Sequence, residues 1–194
     1  RFDLDAPRAA GRSSLEAATA GHRLARLAVG ENPDGLIATV RDLPARHVAY
    51  VRVFKPYAGR GVLDAIDKLT AWAEPRGLAS GQWLGYQWED PDIVPLEHCR
   101  YDVGLEVPAS VELEDGIALQ RFPAMRVAEV AIAGSMDLEL RALDWLYSTW
   151  LLESGYAPDH QPCFEVWNGR PFAHGMAHFE LRIHLAVTRE RLER

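Results

Sequence analysis

Glu165 is the residue whose type and setting first suggest chemistry. It lies in Pro162-Cys163-Phe164-Glu165-Val166-Trp167, where strand alternation puts Cys163, Glu165 and Trp167 on one side and Phe164 and Val166 on the other. A carboxylate between a thiol and an indole is expensive to keep ionised unless a cation or hydrogen-bond donors meet it. Glu165 is therefore either the anchor of a ligand site or a partly exposed strand residue with no task. The aromatic residues Tyr57, Trp83, Tyr86, Trp88, Trp145, Tyr147 and Trp167 form a second candidate group, because Trp and Tyr faces attract cations and flat organic groups. Most aromatic side chains of a globular protein are core, and Trp72 and Trp150, at matched places on two helices, are assigned there. Tyr86 and Trp88 are the favoured lining residues.

The other reactive side chains say less. His178 and His184 share a strand face by parity, but Arg182 stands between them on that face, and His160 and His174 add no tight ligand spacing. No metal and no cofactor is expected. Cys163 has Glu165 as its nearest neighbour on the strand face, which raises a thiol pKa, so an inert cysteine is expected. There is no glycine-rich phosphate loop and no Gly-x-Ser-x-Gly elbow.

The chain of 194 residues, 48% hydrophobic and 25% charged, is of ordinary globular composition. No apolar run approaches the ~18 residues that span a membrane, and residues 1–10 lack the apolar segment of a signal peptide. The first residue is Arg1, so further chain is expected upstream. A net charge of −7 disfavours phosphate backbones and suits a cationic ligand. Two cysteines without metal spacing or a disulfide framework point to a reducing, cytoplasmic setting.

The elements that must hold these residues come twice. Residues 1–35 read as a lead-in with a short helix from Ser13-Ser14 to about Val29. Strands are expected at 36–41, 47–54, 83–88 and 100–107, with a helix over 62–74 stopped by Pro75. The order returns with strands at 117–122, 126–132, 163–167 and 179–187 and a helix over 138–152, ended by Gly155. Trp72 lines up with Trp150, Gly77 with Gly155, and Trp88 with Trp167, which sets Tyr86 against Glu165; the shifts, by subtraction, are 78 or 79 residues. The expectation is an α+β fold: two ββαββ units (36–108 and 117–187) joined edge to edge into one antiparallel sheet of about eight strands. Both helices would lie on one face and a concave ligand site on the other, near the pseudo-two-fold axis. Residues 188–194 read as a solvated tail.

Several stretches resemble a known family. Phe54-Lys55-Pro56-Tyr57-Ala58-Gly59 is similar to its Gly-Pro-Tyr motif, with Lys55 in place of glycine. The stretch from Ala142 to Leu151 resembles its second helix. Ser154-Gly155-Tyr156 followed by Pro162-Cys163-Phe164-Glu165-Val166-Trp167 resembles its Ser-Gly-Tyr and Pro-Cys-Phe-Glu-Ile-Tyr signature, and residues 100–108 resemble the close of its first repeat. The family is the gyrase-inhibitor-like small-molecule-binding one, also found as the effector-binding half of AraC-type and MerR-type transcription regulators. The resemblance covers roughly residues 36–187. It implies the duplicated fold and a pocket between the repeats, often aromatic, with the buried glutamate at Glu165 meeting cationic or hydrogen-bonding ligands. Some family members hydrolyse cyclopropane-bearing compounds in the same pocket. The second repeat departs from the pattern: its loop reads Ala133-Gly134-Ser135-Met136, without Pro-Tyr.

Three functions follow as expectations. The first is an effector-binding module that takes hydrophobic molecules, cations included, with Glu165, Tyr86, Trp88, Tyr57, Trp167, Trp145 and Tyr147 as binding residues. DNA would be reached only through a separate domain, and the mechanism would be a population shift. The second is a hydrolase using Glu165 as general base, with Tyr86 or Tyr57 as the second group. The third is a module that binds a protein partner such as gyrase. The oligomeric state is left open.

Overall fold

A computed structural model of the chain describes residues 27–90, 93–175 and 177–189. The first half contains β1 (Ala38–Leu43), β2 (Arg46–Phe54), helix α1 (Gly61–Ala73), β3 (Trp83–Gln87) and β4 (Arg100–Val107). The second contains β5 (Ala118–Phe122), β6 (Met125–Gly134), a helical stretch, β7 (Tyr156–Pro158), β8 (Phe164–Trp167) and β9 (Phe179–Arg189). The helical stretch runs as α2 (Met136–Trp145), a π-helical turn (Leu146–Trp150) and α3 (Leu151–Ser154). Among the described residues no helix is long and apolar enough to cross a membrane.

Apolar spacing accounts for the helices. Ala65, Ile66, Leu69, Trp72 and Ala73 make the buried stripe of α1, and Ala142, Trp145, Leu146 and Thr149 that of α2 and the π turn. Gly77 (φ 68°) and Gly155 (φ 71°) end the two helical stretches in the left-handed conformation, at the matched places read from the sequence.

All strand pairs are antiparallel, in the order β1-β6-β9-β8-β3-β4-β2-β5, with β7 beside the end of β9. The order is unchanged when each strand is replaced by its counterpart in the other half, so β3 and β8 meet at the pseudo-two-fold axis. The units are not joined edge to edge intact, as the sequence suggested. Their first strands are exchanged: β1 pairs with β6, and β5 with β2.

At the axis Leu84 pairs with Val166, Gly85 with Glu165, and Tyr86 with Phe164. Gly85, not Tyr86, is therefore the counterpart of Glu165. The alignment of Trp88 with Trp167 is one residue out, and a one-residue slip turns every side chain to the opposite face. On the helix face, Ala49, Val103, Leu105, Trp83, Val130, Ile183 and Trp167 pack under α1 and α2. The other face carries its own apolar cluster, with Val48, Leu84, Tyr86, Phe122, Val127, Phe164 and Val166.

The chain before β1 touches the domain. Leu27 N–H donates to Asp144 Oδ2 (3.0 Å), Gly30 N–H to Thr149 Oγ1 (3.1 Å), and Arg141 holds Asp34 bidentately (2.7 and 2.8 Å). The helix expected up to Val29 falls mostly outside the described residues, and residues 27–29 are not helical. Thr188 and Arg189, read as tail, belong to β9.

Candidate functional site

Glu165 lies on β8 with its side chain on the helix face, at 6% exposure. Oε2 accepts hydrogen bonds from the Tyr101 hydroxyl (2.5 Å) and the Trp167 indole N–H (2.8 Å), and Oε1 from the Gln87 amide (3.1 Å). These donors come from β4, β8 and β3, so the site is built across the axis. Gly85 makes the approach possible. A Cβ there would stand 1.9 Å from the Tyr101 oxygen and 2.4 Å from Glu165 Oε2.

The fourth partner is Glu139, in the first turn of α2 and 5% exposed. Burial, then the charge and hydrogen bond of Glu165, push its carboxyl well above the ordinary range. Burial also raises Glu165, against the opposing pull of its bonds to Tyr101, Trp167, Gln87 and Glu139. Two carboxyls thus share one site, both held above the ordinary carboxyl range, Glu139 the further of the two. Glu139 Oε1 has no hydrogen-bond partner among the described residues. Among the described residues no partner of Glu165 is cationic.

Around the pair, Tyr57 is half-buried and its hydroxyl is pushed up, chiefly by burial and then by Cys99, Glu165 and Glu139. Burial, then Glu165 and Glu139, push the Cys163 thiol to about 12, so it is no nucleophile at neutral pH. Tyr147 is 45% exposed, beside Cys163 and Asp90.

The structure thus groups Glu165 with Tyr57, Trp167 and, at the edge, Tyr147. Trp145, at 6% exposure, packs in the core between helix and sheet. Tyr86 and Trp88 are on the opposite face. Tyr86 stacks on Phe122 (4.5 Å) and Phe164 (5.1 Å), and the Trp88 indole N–H donates to Asp102 Oδ2 (2.7 Å). They do not line the Glu165 site, for the register reason given above. The expectation that Glu165 lines a concave site away from the helices is corrected likewise: its side chain faces α2. Trp72 is buried as expected, while Trp150 is half-buried against Tyr156.

Sequence reasoning missed Glu139, Tyr101 and Gln87. Glu139 had a signal, for it falls on the stripe of Ala142 and Leu146, where a carboxylate is out of place. Tyr101 shares its strand face with the core residues Val103 and Leu105. Gln87 had none. Among the described residues no group of metal-ligating side chains could hold an ion. His174 and His178 stand near Glu180, at 3.9 and 3.5 Å, and His184 is taken up by Glu129.

Comparison with known proteins gives consistent findings. The profile of the GyrI-like small molecule binding domain matches residues 38–185. A DNA gyrase inhibitor of Serratia proteamaculans is 30% identical over 152 residues, covering 76% of this chain and 96% of the relative. In a complex of EcmrR with DNA, the EcmrR chain has a similar fold (TM-score 0.65, 17% identity), with 80% of this chain covering 58% of that one. A hydrolase from Listeria innocua is also similar in fold (TM-score 0.61, 11% identity), over 78% of this chain and 91% of that one.

Proposed function

The chain belongs to the GyrI-like small-molecule-binding family, and on that premise we propose that it is an effector-binding domain whose ligands are hydrophobic cations held against Glu165. The observation that carries this reading is a buried Glu165 whose hydrogen-bond donors are all neutral, a phenol, an indole and an amide, beside a Glu139 carboxyl held well above its ordinary range. Neutral donors hold the carboxylate in place without cancelling its charge, so a cation entering this poorly hydrated site gains more than it would at a surface. Tyr57, half-buried beside the pair, offers aromatic surface to such a ligand. Domains 36–187 would form the sensing half of a bacterial transcription regulator or a stand-alone relative, in the cytoplasm, with DNA contacted by a separate domain. The ligand would act by favouring one arrangement of the regulator.

The test is isothermal titration of aryl-trialkylammonium ions and their neutral isosteres against the wild type and Glu165→Gln. Cations are expected to bind, and the variant to weaken them about tenfold or more, the loss expected for a charged contact. Equal binding of neutral isosteres, or an unaffected Glu165→Gln, rejects the reading.

One observation favours a second reading. Two buried carboxyls of unequally raised pKa, Glu139 the further raised, are the kind of pair that acid–base hydrolysis uses. A hydrolase would turn over strained cyclopropane-bearing compounds and lose turnover in both Glu139→Gln and Glu165→Gln. A binding domain would leave them intact.

A further inference from the structure

The sheet face away from the helices holds a feature that the Glu165 site does not use. Arg46, which opens β2, is 8% exposed, yet it forms no salt bridge with a carboxylate among the described residues. Its guanidinium lies over the Phe164 ring at 4.3 Å and near the Tyr86 hydroxyl, its side chain reaches the Met125 sulfur at a long 3.9 Å, and its Nε has no partner among the described residues. A desolvated guanidinium is normally matched by a carboxylate or by good acceptors, because its hydration is otherwise lost without return.

Beside Arg46 opens a cavity of about 360 Å³, near the lower end of the range for ligand sites. Leu43, Leu84 and Val166 give it an apolar surface. Its other cations are already engaged. Glu129 accepts from Arg41 at 2.8 Å and from His184 at 2.9 Å, and has Arg182 at 3.7 Å. Burial lowers His184 to about 4, so it is neutral near pH 7. The lining therefore has three arginines against the carboxylates of Glu106 and Glu129, a surplus of one positive charge in a chain whose net charge is −7.

We propose that this cavity is a second ligand site, on the opposite face of the sheet from Glu165, which takes a small organic monocarboxylate. The carboxylate meets the planar guanidinium of Arg46, whose fork matches its two oxygens. The apolar body of the ligand lies on Leu84 and Val166. A single charge and a small body follow from the surplus and the volume.

The test is NMR titration of the protein with sodium benzoate, with benzyl alcohol as the neutral isostere. Benzoate is expected to saturate with a Kd of about 1 mM or below, shifting the Arg46 Nε–H and the Val166 amide. The Trp167 indole N–H, on the helix face, should stay in place. Benzyl alcohol should bind at least about tenfold more weakly. Arg46→Met keeps an apolar contact with Phe164 and should weaken benzoate about tenfold or more, while Glu165→Gln should leave it unchanged. The proposal is overturned by the absence of saturable shifts up to about 10 mM, by equal binding to Arg46→Met, or by loss of binding in Glu165→Gln. Should Arg46→Met fail to fold, the wild-type comparison decides: equal shifts with benzoate and benzyl alcohol overturn it.

Discussion

The chemistry of the helix-face site rests on two carboxyls that share a proton, and that sharing makes folding sensitive to pH. Glu139 has a folded pKa well above the ordinary 4.5. Below that value it is protonated in both the folded and the unfolded chain, and it adds no pH dependence. As pH rises above it, the unfolded chain releases the proton while the folded chain keeps it, so stability falls until the raised folded value is passed. Glu139→Gln removes this loss. The variant is expected to be more stable than the wild type at pH 8, with the gap closing toward pH 4.5. Parallel melting curves across that range would show that Glu139 does not hold a proton in the fold. The depressed His184 acts in the opposite sense, costing stability as pH falls from 6.5 toward about 4, but equally in both proteins.

At the scale of elements, the decisive contact is β3 against β8. Gly85 lies where a side chain would fill the space now taken by the Tyr101 hydroxyl and Glu165 Oε2. Gly85→Ala should destabilise the protein by about 1–3 kcal/mol, as overpacking does, and should weaken cation binding in parallel because Tyr101 loses its bond to Glu165. A melting temperature and titration unchanged by the substitution would mean that the two side chains relax freely. The same strands show what could be read from the sequence. Alternation in Cys163-Phe164-Glu165-Val166-Trp167 gave the strand and its faces. The helices followed from apolar spacing and the end of the second from Gly155, but the first does not stop at Pro75 as expected: Pro75 lies inside a 3-10 turn, Glu74–Arg76, that Gly77 ends. The register across the axis was not legible, because matching Trp88 to Trp167 satisfies residue type while breaking the pleat. The true counterparts, Gly85 and Glu165, share no chemistry and are related only by the pairing. The π-helical turn at Leu146–Trp150 was likewise invisible, since it changes the winding of a helix without changing its apolar stripe.

At the scale of the whole molecule, the exchange of β1 and β5 ties the halves together. Each half supplies an outer strand to the other, so neither has a complete sheet alone. The chain cut between Val111 and Glu112 should give two pieces that lack cooperative melting separately and recover it when mixed in equal amounts, followed by circular dichroism. Independent cooperative melting of either piece would contradict this. The composite site behaves the same way, since Glu165 and Glu139 come from the second half and Tyr101 and Gln87 from the first.

The exchange also orders events during translation. Leu43 pairs with Met125, and Ala38 with Val130, so β1 leaves the ribosome long before its partner is made. At ~5–20 residues per second the nascent chain carries that unpaired strand for roughly 4–16 s. Throughout that interval a neighbouring chain on the same messenger can offer its own β6 instead. Strand-swapped dimers between polysome neighbours are therefore the misassembly built into this topology, and slow initiation, which spaces the ribosomes apart, is the condition that suppresses it.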